Sequence, residues 1–254
     1  MTGAPVNWTG HVYDYCERTS PAFWGEPLDA LSNLAYLAAA GALWWALRRD
    51  EDVPASVGFM PGLAAVIGAG SFAFHTLATR WSKVLDVVPI GLFVLCYLAC
   101  YMRWFYGLSW RRCLLGVAGF IGLTAVFGVT VAGFVPNRSG IYVPVLIVLA
   151  GLAAALALGR DADRSRHWPP LAGAAVVFAA ALVARTIDRK VCASDPEGTH
   201  FIWHLLTGLL LYLVGLPLIR RWRSVAGTAS APPDEHPAAT PAPAPAAGPT
   251  ATTT

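Results

Sequence analysis

Residues 84–105, VLDVVPIGLFVLCYLACYMRWF, set the class of this protein. Asp86 near the start and Arg103 near the end are the only charged residues in the stretch. A helix needs about 20 apolar residues to cross about 30 Å of hydrocarbon. The stretch is therefore long enough to span a membrane, with a single carboxylate close to one membrane surface.

Six other segments of the chain have the same apolar character. We predict seven spans, at residues 27–48, 57–79, 84–105, 112–134, 140–159, 168–187 and 199–219. Apolar residues make up 56% of the 254-residue chain and charged residues 13%, about half of the roughly 25% found in soluble domains. The fold class is therefore an all-α membrane protein, a seven-transmembrane helix bundle. Nothing in the charge pattern suggests nucleic acid as a partner.

The composition changes at both ends of this bundle. Residues 1–26 are polar and aromatic and lack the apolar stretch of a cleavable signal peptide, so we expect an N-terminal extracytoplasmic segment. Residues 224–254 are rich in Ala, Pro and Thr and cannot bury a core, so we expect a disordered tail. Residues 27–223 lie between them and form the transmembrane domain.

The distribution of Lys and Arg predicts the orientation of the bundle. Eleven of these residues lie on the face that holds the C-terminus, and seven lie on the face that holds the N-terminus. Cytoplasmic loops carry the excess of Lys and Arg in membrane proteins. We therefore predict an N-terminus outside and a C-terminus inside.

Five polar residues lie at the ends of three spans. Ser71 and His75 end the second span, Asp86 begins the third, and His200 and His204 begin the seventh. Because successive spans alternate in direction, all of these ends lie on the face that holds the N-terminus, whichever way the bundle is inserted. Ionisable groups are costly in a bilayer and usually mark a site there.

The three histidines predict a metal centre. His200 and His204 are four residues apart and share one helical face, and His75 lies at the same depth on another span. Three protein ligands with one open position are typical of catalytic zinc. Histidines that only line the membrane interface are the alternative. The metal interpretation makes residues 27–223 a candidate intramembrane hydrolase domain.

Two further polar residues of this layer each allow two interpretations. The Ser71 hydroxyl could bond back to its own helix, or it could donate to an oxyanion near the metal. Asp86 could cap a helix or pair with Lys83, or its carboxylate could face a water molecule at the metal. We favour the second role for Asp86, because it lies inside an apolar run.

The N-terminal segment carries three acidic residues and one cysteine. Asp14, Glu17 and Glu26 could be solvated, or they could bind a hard cation such as calcium through oxygen ligands. Cys16 could pair with Cys192 if the compartment is oxidising.

Four sequence blocks together resemble a known family. SFAFH at 71–75, LDVVPI at 85–90, HFIWH at 200–204 and the opening DYCERTSPAFWGEPLDALSNL at 14–34 are similar to the signature blocks of the alkaline ceramidases. That family belongs to a superfamily of seven-span membrane hydrolases that includes the adiponectin-receptor-like proteins. The resemblance covers roughly residues 10–220.

The resemblance implies a role for each of these residues. It implies zinc held by His75, His200 and His204, proton transfer by Asp86 and oxyanion binding by Ser71. It also implies a calcium site and a disulfide. The implied calcium ligands are Asp14, Glu17, Glu26, the Tyr15 carbonyl and Thr19, and the implied disulfide joins Cys16 to Cys192.

The expected activity follows from this resemblance. It implies a zinc-dependent integral membrane amidase that hydrolyses ceramide-like lipids to a sphingoid base and a fatty acid. The alternatives are a zinc-containing receptor of the adiponectin-receptor type, a proton-relaying transporter, and a hydrolase of another lipid amide or ester. The Ala/Gly-rich, Lys-poor composition indicates a multi-pass protein of a bacterial plasma membrane.

Overall fold

The computed structural model describes residues 6–130 and 134–230, and this part of the chain is almost entirely helical. A 3-10 helix at Pro136–Tyr142 precedes the seventh of ten α-helices in these residues. The α-helices are α1 Pro27–Ser32, α2 Leu34–Leu47, α3 Ala55–Gly58, α4 Met60–Leu77, α5 Arg80–Tyr106, α6 Trp110–Thr130, α7 Val143–Ala157, α8 Ala162–Ser165, α9 Trp168–Val191 and α10 His200–Ser230.

Seven helical segments are long and apolar enough to cross a membrane, which confirms the predicted fold class. They are Pro27–Leu47, Ala55–Leu77, Arg80–Tyr106, Trp110–Thr130, Ser139–Ala157, Ala162–Val191 and His200–Gly227. Each overlaps one predicted span. The orientation of the bundle, with the N-terminus outside, stays a prediction.

Two helix ends differ from the sequence-based expectation because polar side chains extend the helices. α5 begins at Arg80 rather than near residue 84, since Thr79 forms a capping box with Ser82. α10 continues to Ser230, beyond the predicted end at residue 219. Its added turns are held by ion pairs of Arg221 with Asp163 and of Arg223 with Asp50.

The predicted tail at 224–254 is therefore partly corrected. Residues 224–230 belong to α10, because this part of the chain contains no proline and follows directly on the paired arginines. The remainder of that prediction, residues 231–254, lies outside the described residues.

Close helix packing fixes the relative depth of the spans. α10 packs against α2 at Gly208, where a Cβ atom would lie 2.7 Å from the Cβ of Ala35. α4 packs against α5 at Gly70, where a Cβ would overlap the Leu85 carbonyl and lie 2.8 Å from its carbon. Small residues at such contacts let two helix backbones approach in a membrane.

Residues 6–26 lie across the helix ends on one face of the bundle, which we call the N-terminal face. The Val12 N–H donates to the Ala78 carbonyl at 2.7 Å, and Arg189 donates to the Tyr13 carbonyl at 2.9 Å. Cys16 is joined to Cys192 by a disulfide bond. The segment thus covers the ends of α4, α9 and α10, where the predicted site residues lie.

Replacing Gly70 by alanine tests whether the α4–α5 contact determines the packing. We expect Gly70→Ala to lower the free energy of unfolding by about 1–3 kcal/mol, because the methyl group would press against the Leu85 carbonyl. Gly62→Ala on the same helix is the control, since nothing lies within 4 Å of its Cβ position. Unfolding in detergent would measure both, and equal stabilities would contradict the close contact.

Candidate metal centre

The three predicted histidines meet on the N-terminal face of the bundle. α4 carries His75 in its last turn, and α10 carries His200 at its first residue and His204 one turn later. All three side chains are buried. One ligand nitrogen from each lies within 4.8 Å of the other two, a separation that suits a shared metal ion.

Hydrogen bonds to the outer nitrogens leave the inner nitrogens available as ligands. The Nδ1 atom of His75 lies 2.7 Å from a Glu26 carboxylate oxygen, and its Nε2 is buried without a hydrogen-bond partner. The Nδ1 of His204 lies 3.1 Å from the Asp29 carbonyl and 2.8 Å from the Ser32 hydroxyl. A carbonyl can only accept, so His204 carries its proton on Nδ1. Metal-ligating histidines typically donate their other ring N–H to a carboxylate or a carbonyl in this way.

His200 is held by an aromatic contact and by the cap of α10. Its ring stacks on Tyr15 with centroids 3.5 Å apart, and its buried Nδ1 has no hydrogen-bond partner. Burial raises the pKa of the Tyr15 phenol, so the phenol stays neutral beside the imidazole. One Asp188 oxygen accepts the backbone N–H groups of Thr199 and His200 at 2.8 and 3.0 Å.

Asp188 also ties the N-terminal segment to this helix start. Its second oxygen accepts the Cys16 N–H at 3.1 Å. Gly198 takes a positive φ of 68° beside this contact, and a Cβ there would lie 2.7 Å from the Cβ of Cys16. The disulfide, the Asp188 carboxylate and the Gly198 turn therefore hold the start of α10 against residues 15–16.

The structure excludes bonding of Ser71 to its own helix and capping of a helix by Asp86. The Ser71 hydroxyl is buried and makes no hydrogen bond of ordinary geometry, so it does not bond back to α4. It lies near the Asp86 carboxylate, and His75 is close enough to interact electrostatically with that carboxylate. Thr79 caps α5 and Lys83 forms its ion pair with Asp14, so Asp86 is not the helix cap.

Residues 11–225 match the family model described as Ceramidase. The chain belongs to the ceramidase family. Among curated proteins, no sequence matches it. The family supports a ceramide-hydrolysing membrane enzyme that acts on an amide bond, which agrees with the resemblance found in the sequence.

Asp29 is a buried acid near the histidines that is not among the predicted site residues. It is fully buried in α1, both carboxylate oxygens lack hydrogen-bond partners, and Oδ2 lies 3.8 Å from Nδ1 of His75. Glu26, Asp29 and His75 form a second group with ligand atoms within 4.8 Å. The only sequence signal is an acid at the start of an apolar span, three residues after Glu26.

The implied calcium ligands are spread over the N-terminal segment. Asp14 pairs with Lys83, and the Thr19 side chain is exposed. Glu17 accepts the N–H groups of Leu28 and Asp29 at 2.7 and 2.9 Å and so caps α1. Burial raises the pKa of Glu17, while these two N–H groups lower it.

Glu26 lies against the histidines, with one carboxylate oxygen 2.7 Å from Nδ1 of His75. In the described residues, the carboxylate oxygens of Asp14, Glu17 and Glu26 do not all lie within 4.8 Å of one another. The residues as arranged do not fit a calcium centre, and calcium ligation stays a prediction from the resemblance.

The hydrogen bond between Ser32 and His204 provides a test of the metal centre. We expect Ser32→Ala to weaken zinc binding about 10-fold, because it removes one of the two groups that orient the His204 ring. Ser56→Ala is the control, since its hydroxyl bonds to Trp104 and not to a histidine. Competition with a chromophoric chelator measures both. Equal affinities would argue against His204 as a ligand.

Proposed function

We propose that this protein is a zinc-dependent integral membrane amidase that hydrolyses ceramide-like lipids to a sphingoid base and a fatty acid. The observation that carries the proposal is the buried group of His75, His200 and His204, with nitrogens within 4.8 Å of one another. Two of the three rings have hydrogen-bonded Nδ1 atoms, as expected for ligands that bind through Nε2. Membership of the ceramidase family supports the substrate class.

An apolar cavity beside the histidines supports a lipid substrate. It is lined almost entirely by apolar and aromatic side chains, as is common for sites that bind apolar ligands. Its lining includes Tyr36 and Trp203. The Tyr36 ring lies 5.9 Å from the His204 ring between centroids, and Trp203 directly precedes His204. A hydrocarbon chain in this cavity would bring an attached amide to the metal centre.

The donor set fits zinc better than a hard cation. Imidazole nitrogens suit zinc, whereas calcium and magnesium prefer oxygen ligands. His75, His200 and His204 would hold the ion, and the buried Nε2 of His75 and Nδ1 of His200 have no other partner in the described structure. A zinc ion there would supply Lewis-acid chemistry and lower the pKa of water to about 7.

Asp86 and Ser71 would carry out the remaining chemistry. The Asp86 carboxylate takes a proton from the water that attacks the amide carbonyl carbon. It returns that proton to the amine nitrogen as the C–N bond breaks. The Ser71 hydroxyl has no competing hydrogen bond of ordinary geometry and donates to the developing oxyanion.

Fatty-acid release from ceramide by the purified, zinc-loaded protein tests the proposal. We expect Asp86→Asn to reduce kcat about 10²–10⁴-fold and Ser71→Ala about 10²–10³-fold, with zinc still bound in both. His200→Ala should lose both activity and zinc. His11→Ala is the control, because this histidine is exposed and lies outside the cluster.

The same assay distinguishes the alternatives. Zinc bound at one ion per chain without turnover of any lipid amide or ester would contradict an enzyme and support a receptor. Release from other lipid amides or esters, but not from ceramide, would keep the hydrolase and change its substrate. Full activity in His200→Ala would overturn the assignment of the site.

A further inference from the structure

Arg18 is a buried cation in the N-terminal segment, which is an unusual place for an arginine. Its side chain is fully buried, and arginine is almost never buried without partners. Nη1 donates to the Ser20 and Ala22 carbonyls at 3.2 and 2.8 Å. Nη2 donates to the His75 carbonyl at 2.6 Å. The guanidinium is thus enclosed by backbone oxygens from two parts of the chain.

The Glu26 carboxylate completes this enclosure. One oxygen accepts from Nη2 at 3.4 Å, and the other lies 3.3 Å from Nε, an ion-pair distance without the alignment of a hydrogen bond. Carbonyl oxygens together with a carboxylate are the groups that a calcium ion takes as ligands. Here oxygen atoms of the same kind surround a guanidinium group. This group is planar, offers several N–H donors and is always positively charged.

The loop has the shape that this guanidinium requires. Gly25 lies against it, and a Cβ at that position would be 2.5 Å from Nη1 of Arg18. The same Cβ would be 2.9 Å from the Ser20 carbonyl oxygen and 3.0 Å from that of Ala22. Any larger residue at position 25 would therefore enter the space that the guanidinium and its acceptors fill.

The enclosed guanidinium is directly connected to the metal centre. Glu26 contacts Arg18 and also accepts from Nδ1 of His75 at 2.7 Å. The backbone carbonyl of the same histidine accepts from Arg18. Arg18 therefore holds one metal ligand twice, through its main chain and through the carboxylate that orients its ring.

We infer that the guanidinium of Arg18 is the resident cation of the N-terminal segment, and that it positions Glu26 and His75 in place of a calcium ion. The part of the inference that concerns metal binding rests on the proposed role of His75 as a zinc ligand. Arg18 is a positioning residue, since its contacts are to the chain and not to the reacting atoms.

Calcium binding by the wild-type protein is the first test. The zinc-loaded protein is dialysed into buffer freed of calcium, and radioactive calcium is then added at equilibrium. We expect no calcium bound at one per chain and no change in the thermal midpoint. Binding at one ion per chain with a raised midpoint would overturn the inference.

Chemical rescue is the second test. We expect Arg18→Ala to weaken zinc binding about 10–100-fold, as the loss of groups that orient a metal ligand does, and added guanidinium ion to restore it. Arg189→Ala is the matched control, because Arg189 also holds the segment, through the Tyr13 carbonyl, but is exposed and contacts neither Glu26 nor His75. Equal zinc affinities in the two variants, or an Arg18→Ala defect that guanidinium does not relieve, would contradict the inference.

A milder variant covers the case in which Arg18→Ala does not fold. Gly25→Ala keeps the arginine but crowds Nη1, so it should weaken zinc binding in the same direction and gain nothing from guanidinium. Zinc affinity unchanged from wild type would count against the positioning role of Arg18. All of these experiments measure metal binding. A protein that binds zinc and fails to cleave ceramide would therefore refute the proposed function and leave this inference standing.

Discussion

A single carboxylate, that of Glu26, is shared between the Arg18 guanidinium and the His75 imidazole, and the N-terminal face depends on this sharing. Buried charges are costly unless each is paired and hydrogen-bonded. Here the Arg18 guanidinium neutralises the Glu26 carboxylate, and that carboxylate holds the ring proton of His75 on Nδ1. The same contacts hold the loop before α1 against the last turn of α4. The N-terminal segment therefore forms one wall of the candidate metal centre.

The helices reach this centre because small residues let their backbones approach. Gly70 brings α4 against the Leu85 carbonyl of α5, so Ser71 and Asp86, the next residue on each helix, lie near each other. Gly208 brings α10 against Ala35 of α2, one turn beyond His204. In lipid, such packing replaces the hydrophobic effect as the force that joins helices. The position of Ser71, Asp86 and His204 along the bundle is thus set by close backbone contacts beside these residues.

The seven spans and the common depth of the three histidines could be predicted from sequence, because hydrophobic length is local and successive spans alternate in direction. The burial of the Asp29 carboxylate beside His75 and the capping of α1 by Glu17 could not. Both depend on how residues 6–26 fold back over the helix ends, with contacts to residues far along the chain, such as that of Asp14 with Lys83. That segment has no periodicity from which its path could be deduced. Similarly, the extension of α10 depends on ion pairs with Asp50 and Asp163.

The arrangement of polar and apolar surfaces around the histidines suits a substrate with both characters. Tyr15 stacks on His200 from the N-terminal segment, while Trp203 and Tyr36 line the apolar cavity on the inner side. Tyr36 and Thr207 satisfy each other at 2.7 Å, so their hydroxyls do not require water in the cavity. An amide held at this boundary would have its hydrocarbon in the bundle and its polar atoms at the imidazoles. A water-soluble amide would gain little from the cavity, which is why a lipid amide suits the site better.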